Sequence, residues 1–190
     1  MTDDTLLKKA GGGDEKAFVL LYERYNAGLY RFVYRFLESA ELAREITDDC
    51  LLDVVRHYTN FDPSRASLRT YLYAAARNKI FSQFRHRDES LTDNFDEALN
   101  VSDGNEPLKL ALQQELSEKV RHAISELPPL QREVVILFEY EEFTLPQIAE
   151  IVGADVGAVK SRLFRARGRL RRSLAPYFKS DSAIASSVNK

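Results

Sequence analysis

Residues 156–170 read VGAVKSRLFRARGRL, a stretch in which small and aliphatic residues alternate with bases. Val159, Leu163, Ala166, Leu170 and Leu174 recur at steps of four, three, four and four, which traces one apolar stripe on an α-helix. Ser161, Arg165 and Arg172 fall roughly opposite that stripe, with Lys160, Arg162, Phe164, Arg167, Arg169 and Arg171 on its flanks. A helix exposed only to water mixes charge signs, because an acid one turn from a base stabilises both. No acid occurs from Val156 to Arg172, and Phe164 is an odd choice for a face that meets only water. The pattern suits a helix that lies against a polyanion.

The residues upstream set this helix in a motif. TLPQIAEIV opens with Thr144 and carries Gln147 three residues on, a capping-box pattern, with Pro146 tolerated in the first turn. Leu145, Ile148, Ala149 and Val152 form its apolar stripe. Gly153 can adopt the left-handed conformation that ends a helix, and Asp155 can cap the next one. Two short helices joined by a tight glycine turn, the second one basic, describe a helix-turn-helix whose second helix enters the major groove. Farther upstream, LPPLQREVVILFEYEE starts at a proline pair and supplies a packing helix.

Charge is distributed by segment. The chain has 190 residues and a formal net charge of −2, whereas a simple DNA-coating protein would be strongly basic throughout. Arg65 to Arg87 holds six Lys or Arg and no acid, and the chain is basic again beyond Val156. Between these blocks lies RDESLTDNFDEALNVSDGNEP, acidic and without sustained periodicity from about Asp88 to Glu106, which reads as loop or disorder. The expected fold is all-α: two small helical domains joined by an acidic flexible linker. The boundaries fall at 1–88, 89–112 for the linker, 113–178 for the helix-turn-helix domain, and 179–190 for a Ser/Ala-rich tail.

Cys50 is the only cysteine, which excludes an intrachain disulfide and a cysteine-rich zinc site. No early apolar run resembles a signal peptide or a membrane span, so the sequence predicts a soluble, cytoplasmic protein without membrane insertion.

The N-terminal half reads as helical. Asp14 can cap a helix in which Phe18, Leu21, Tyr22, Tyr25, Leu29, Phe32, Val33 and Phe36 follow three-four spacing and form core. A second helix, about 40–58, sets Leu42, Ile46, Val54 and Val55 inward and Glu41, Glu45, Asp48, Asp49 and Asp53 outward. NFDPSRAS then breaks the pattern, and Ser67 can cap a third helix, LRTYLYAAARNKIFSQFRHR. Aromatic rings interleaved with Arg and Lys suit single-stranded nucleic acid, where bases stack and phosphates pair with cations. They equally suit a three-helix bundle with Tyr71 and Phe81 inside and arginines in solvent. The residues alone leave both readings open.

AFVLLYERYNAGLYRFVYRFL, LAREITDDCLLDVVRHYTNFDPSRASLRTYLYAAARNKI and LPPLQREVVILFEYEEFTLPQIAEIVGADVGAVKSRLFRARGRL together resemble a bacterial sigma factor of the two-domain extracytoplasmic-function (ECF) group. The resemblance runs from about Asp3 to Leu174. It implies that the chain binds core RNA polymerase and directs promoter recognition, melting and transcription initiation, as a binding protein with no catalytic residues, cofactor or metal. In the family, the second helix of the first domain docks on polymerase through a pattern like Asp-Leu-Val-Gln-Glu. Here that pattern is Glu45-Ile46-Thr47-Asp48-Asp49, so Glu45, Asp48, Asp49 and Asp53 are the implied docking residues.

The family's loop before the third helix captures a flipped base of the melted nontemplate strand in the minus-ten element. This maps to Asn60, Asp62, Ser64, Arg65 and Ser67, with Arg69, Arg77, Asn78 and Lys79 following the strand. The recognition helix reads the minus-thirty-five element as duplex. It commonly begins Val-Gly-Thr-Val-Lys-Ser-Arg, and here Ala158 replaces the Thr. Lys160, Ser161, Phe164 and Arg165 match base-facing positions, and Arg162 and Arg167 suit phosphates; Arg can bind guanine bidentately and an aromatic edge can pack on a thymine methyl. An anti-sigma protein is a further partner that the family often has.

Two other classes compete. A free-standing helix-turn-helix repressor or activator explains the C-terminal half but not an acidic docking helix beside a second nucleic-acid-binding domain. A metalloenzyme could use Asp48, Asp49, Asp53 and His57 at helical spacing, yet His86 and His122 lie in other segments and no glycine-rich phosphate loop or nucleophile motif accompanies them.

Overall fold

Short polar side chains at the helix starts decide where the chain turns. Thr2 begins α1 (Asp3–Gly11), Asp14 begins α2 (Glu15–Leu37), Ser39 begins α3 (Ala40–Arg56), and Ser67 begins α4 (Leu68–Asp88). In each case the side-chain oxygen accepts a backbone N–H three residues on, at 3.1 Å for Asp14 to Ala17 and for Ser67 to Thr70, which satisfies a donor the helix itself leaves unpaired. The caps expected at Asp14 and Ser67 are therefore formed. The structure, a computed structural model, describes residues 1–88 and 107–187, with side chains for 1–84 and 115–177.

The N-terminal half is a bundle of these four helices. Leu21, Tyr25, Leu29, Phe32, Val33 and Phe36 of α2 are buried against Ala43, Ile46, Cys50, Leu51 and Val54 of α3 and Leu72, Tyr73, Ala76 and Ile80 of α4. Each large apolar side chain so buried contributes about 1.5–3 kcal/mol. The outward assignment on α3 holds for Glu41, Glu45 and Asp49, which are exposed, while Asp48 and Asp53 are half-buried. A 3₁₀ turn at Tyr58–Asn60 lies against α1, where a Cβ at Gly11 would run into the Tyr58 ring.

The C-terminal half follows as α5 (Pro107–Ser125), α6 (Pro129–Val135), α7 (Leu145–Val152) and α8 (Val156–Ser187). The stretch 89–106, most of the span read as an acidic linker, lies outside the described residues; α5 begins at Pro107, within that span. The helix from the proline pair does not run regularly. At Ile136–Tyr140 it widens into a π-turn, with Glu141 N–H bonded to the Ile136 carbonyl at 3.1 Å. Such an extra residue rotates everything after it, and π-turns often mark functional positions.

The helix-turn-helix forms as the sequence predicts. Gln147 Oε1 accepts from both the backbone N–H and the hydroxyl of Thr144, each at 2.9 Å. Gly153 adopts φ +64°, the left-handed conformation that favours glycine, and Asp155 Oδ1 accepts the Ala158 N–H at 2.8 Å. Val159, Leu163 and Ala166 are buried beneath α8, with Leu170 and Leu174 half-buried. No helix among the described residues is long and apolar enough to cross a membrane.

The two halves do not stand apart. Helix α4 packs along α7, and α2 meets the π-turn and α5. Tyr73 and Phe143 make an edge-to-face pair with ring centroids 4.8 Å apart across the junction. One buried apolar cluster runs through both halves.

Candidate functional site

The acidic face of α3 is fixed by its neighbours. Asp48 accepts the Tyr22 hydroxyl at 3.0 Å, a bond that raises the Tyr22 pKa because losing the phenolic proton beside a carboxylate is unfavourable. Asp49 and Asp53, one turn apart, share the Lys79 ammonium at 3.3 and 2.9 Å, and the hydrogen bond to Asp53 is the main cause of that lysine's raised pKa. Glu45 forms no ion pair among the described residues. Lys79, assigned from sequence to the DNA strand, thus spends its charge on two acids assigned to polymerase. His57 Nδ1 lies 2.9 Å from the Asp53 carbonyl oxygen. Among the described residues no cluster of three or more His, Cys, Asp or Glu is arranged to hold a metal ion.

The loop from Asn60 to Ser67 projects into solvent, with Asn60, Asp62, Ser64, Arg65 and Ser67 all exposed. It is nonetheless ordered. Asp62 Oδ1 accepts both the Ser64 hydroxyl at 2.7 Å and the Ser64 N–H at 3.0 Å, and Arg65 Nε lies 3.4 Å from the other carboxylate oxygen. The Ser64 hydroxyl is the main reason the Asp62 carboxyl lies below its ordinary pKa. Phe61 anchors the loop by an edge-to-face contact with Tyr71. Polar edges held in this way can meet a base.

Arg69 and Arg77 of α4 turn away from that loop toward the C-terminal half. Arg69 donates to the backbone carbonyl of Glu141 at 2.5 Å and lies over the Phe143 ring at 4.0 Å. Arg77 donates through Nε to Glu133 at 2.7 Å. Asn78 beside it is exposed. The aromatic residues of this helix divide: Tyr73 is buried, while Tyr71, Phe81 and Phe84 are half-buried against other rings. They serve as core, which supports the bundle reading for the rings.

On α8 the expected faces separate cleanly. Lys160, Ser161, Phe164 and Arg165 are exposed, with Phe164 at 81%. Neither Lys160 nor Arg165 forms an ion pair among the described residues. Arg167 is held by Glu139 at 2.7 Å and lies over Phe138. Arg162 is mostly covered and donates to Glu133 at 3.2 Å. The positions expected to face bases are thus open, whereas Arg162 and Arg167, expected to meet phosphates, are both engaged by acids of the same half.

Sequence reading missed the residues that join the halves. Glu133 is fully buried and holds Arg77 and Arg162 together; burial pushes its carboxyl up, against the pull of Arg77 and then Arg162. Glu141, also buried, accepts from Tyr73 Oη at 2.7 Å and from Arg35 at 3.1 Å. Arg132 donates to the Phe36 carbonyl of α2 at 2.9 Å and to the Ser125 and Leu127 carbonyls, tying two helix C-termini where carbonyls are left unpaired. The only sequence signal was an acid, Glu133, next to the apolar run VVILF.

Comparison with known proteins agrees with this arrangement. Residues 21–89 match the model for sigma-70 region 2, and residues 117–170 match sigma-70 region 4. The ECF RNA polymerase sigma factor SigW of Bacillus subtilis is 29% identical over 177 residues, covering 88% of this chain and 94% of that protein. The ECF RNA polymerase sigma-E factor of Escherichia coli K12 is 29% identical over 185 residues, covering 93% and 96%. Among solved structures, the sigma factor RpoE in complex with the anti-sigma factor NepR, from Bartonella quintana, superposes with a TM-score of 0.69 at 25% identity, covering 84% of this chain and 98% of that one. Two family regions in the right order, each on its own group of helices, place the chain in the sigma-70 family, in the ECF group of non-enzymatic transcription initiation factors.

Proposed function

We propose that the chain binds core RNA polymerase through the acidic face of α3 and directs it to a two-part promoter. In this reading Glu45, Asp48, Asp49 and Asp53 contact polymerase. Asn60, Asp62, Ser64, Arg65 and Ser67 take a base of the melted minus-ten strand, and Arg69, Arg77, Asn78 and Lys79 follow its phosphates. Lys160, Ser161, Phe164 and Arg165 read the minus-thirty-five duplex, while Arg162 and Arg167 meet its backbone.

The observation that carries the reading is the exposed face of α8. A helix with Val159, Leu163 and Ala166 packed beneath it presents a lysine, an arginine and a bare phenyl ring outward. An exposed ring flanked by unpaired cations suits a thymine methyl between phosphates better than it suits water. The Bartonella relative is held by an anti-sigma factor, and we include that class among this chain's partners. The test is run-off transcription with core polymerase on a randomised promoter library. Enrichment of two spaced elements is the expected result. A DNA footprint that needs no polymerase, with no transcript, would instead indicate a free-standing regulator.

A further inference from the structure

We propose that the protein binds a small amphiphilic anion, a carboxylate on an aliphatic body, in the cavity bounded by α2, α5 and the π-turn. The residues of this site are separate from those proposed for polymerase and for DNA.

Helical periodicity shapes the cavity. Residues three and four apart share a face of a helix, so Arg31, Tyr34 and Arg35 of α2 point one way, and Leu116, Val120 and Ile124 of α5 point back at them. The π-turn closes the third side with Ile136 and Tyr140. The three faces meet without filling the space between them, and about 650 Å³ is left. That volume falls in the size class of clefts that take drug-sized ligands.

The lining has two chemistries. Ile124 and Ile136 are buried and Val120 is half-buried, which makes an aliphatic floor. At the rim Leu116 and Tyr140 each stay 40% exposed, apolar surface that the described residues leave uncovered. Three guanidiniums and no carboxylate line the same space. Arg35 is fixed, donating to Glu141 at 3.1 Å and lying over the Tyr140 ring at 4.5 Å. Arg121 is 3.9 Å from Glu38, too far for a hydrogen bond. Arg31 is exposed and forms no ion pair among the described residues. Tyr34 is steadied by stacking on Tyr30, with ring centroids 6.0 Å apart.

This division selects the ligand. A neutral apolar molecule would cover Arg31 and Arg121 without giving them a partner, and a cation taken from water unpaired is costly. A nucleotide would set a base against a floor that is aliphatic rather than aromatic. A carboxylate at the rim accepts the paired N–H groups of a guanidinium, and its apolar body covers Leu116, Val120, Ile124 and Ile136.

The experiment titrates the full chain with anilinonaphthalene sulfonate, whose fluorescence rises in apolar surroundings. Phenylnaphthylamine, which has the same rings without the sulfonate, is the neutral control. Wild type should bind the sulfonate saturably at one site and at least tenfold more tightly than the control. Arg31→Ala should weaken the sulfonate by about tenfold, the low end for a charge-assisted hydrogen bond, and leave the control unchanged. Decanoate should displace the sulfonate competitively and GTP should not. Absence of saturable binding, equal affinity for the two probes, or an unaltered sulfonate affinity in Arg31→Ala overturns the proposal. Displacement by GTP and not by decanoate overturns the ligand class. If Arg31→Ala fails to fold by circular dichroism, Ser117→Asp places an acid at the exposed rim without touching the floor. It should weaken the sulfonate alone, and an equal loss for both probes there also overturns the site.

Discussion

Leu163 and Phe164 are neighbours in sequence and opposites in environment, and that contrast allows stability and recognition to be separated. Leu163 is 6% exposed beneath α8, and Phe164 is 81% exposed above it. Leu163→Ala removes buried methyl groups and leaves a cavity, at a cost of about 2–5 kcal/mol. Phe164→Ala removes a ring that touches little, so the fold should change by no more than about 0.5 kcal/mol. A phenylalanine offers about 200 Å² of side-chain surface. If about half of its exposed area is covered by DNA, roughly 80 Å² at about 25 cal/mol per Å² gives about 2 kcal/mol of recognition energy, more than tenfold in promoter affinity. Urea melts measure the first quantity. Run-off transcription from promoters with intact and scrambled minus-thirty-five elements measures the second. Leu163→Ala should lower the melt, whereas Phe164→Ala should erase the advantage of the intact element at an unchanged midpoint. Comparable destabilisation by both substitutions, or an undiminished advantage in Phe164→Ala, would refute the assignment of faces.

Charge reversal of Asp48 and Asp49 to Lys should weaken pull-down of core polymerase while circular dichroism still reports the helices; retained capture would move the docking face elsewhere. In the loop from Asn60 to Ser67, Ser64→Ala removes the hydroxyl that holds the Asp62 carboxyl below its ordinary range, so NMR titration should show that carboxyl rising toward the usual aspartate value. The sign for loop order follows: a depressed carboxylate contributes above the ordinary aspartate pKa and loses its contribution as pH falls through the depressed value, and that acid-side change should shrink in the variant. An unshifted titration would mean that Ser64 does not set the Asp62 charge.

What could be read from sequence was what short-range chemistry encodes. The turn between α7 and α8 was legible because Thr144, Gln147, Gly153 and Asp155 each have a local reason to be there, and all of them act within three residues. The α8 stripe was legible because burial beneath it follows the helical period. The junction between the halves was not. Arg77 meets Glu133 across 56 positions and Arg35 meets Glu141 across 106, and no periodicity connects residues that far apart. The π-turn was hidden for a different reason: ILFEY is as compatible with a regular helix, and only the tertiary placement of Glu141 and Phe143 selects the wider turn. Lys79 illustrates the intermediate case, a cation whose place on a basic helix was plain but whose partners, Asp49 and Asp53, were assigned to a separate surface.

The lone cysteine has a practical consequence. Cys50 is fully enclosed between α3 and its neighbours, and burial is the main reason its thiol is pushed up to about 12. Only the thiolate attacks an alkylating reagent, and at neutral pH a thiol with that pKa is ionised in about one molecule in a hundred thousand. Modification must therefore wait for the N-terminal bundle to breathe. The protein carries its own clock: the rate at which iodoacetamide marks this one sulfur, read by mass spectrometry in a mixture with any partner, times how often that bundle opens and how far the partner slows it.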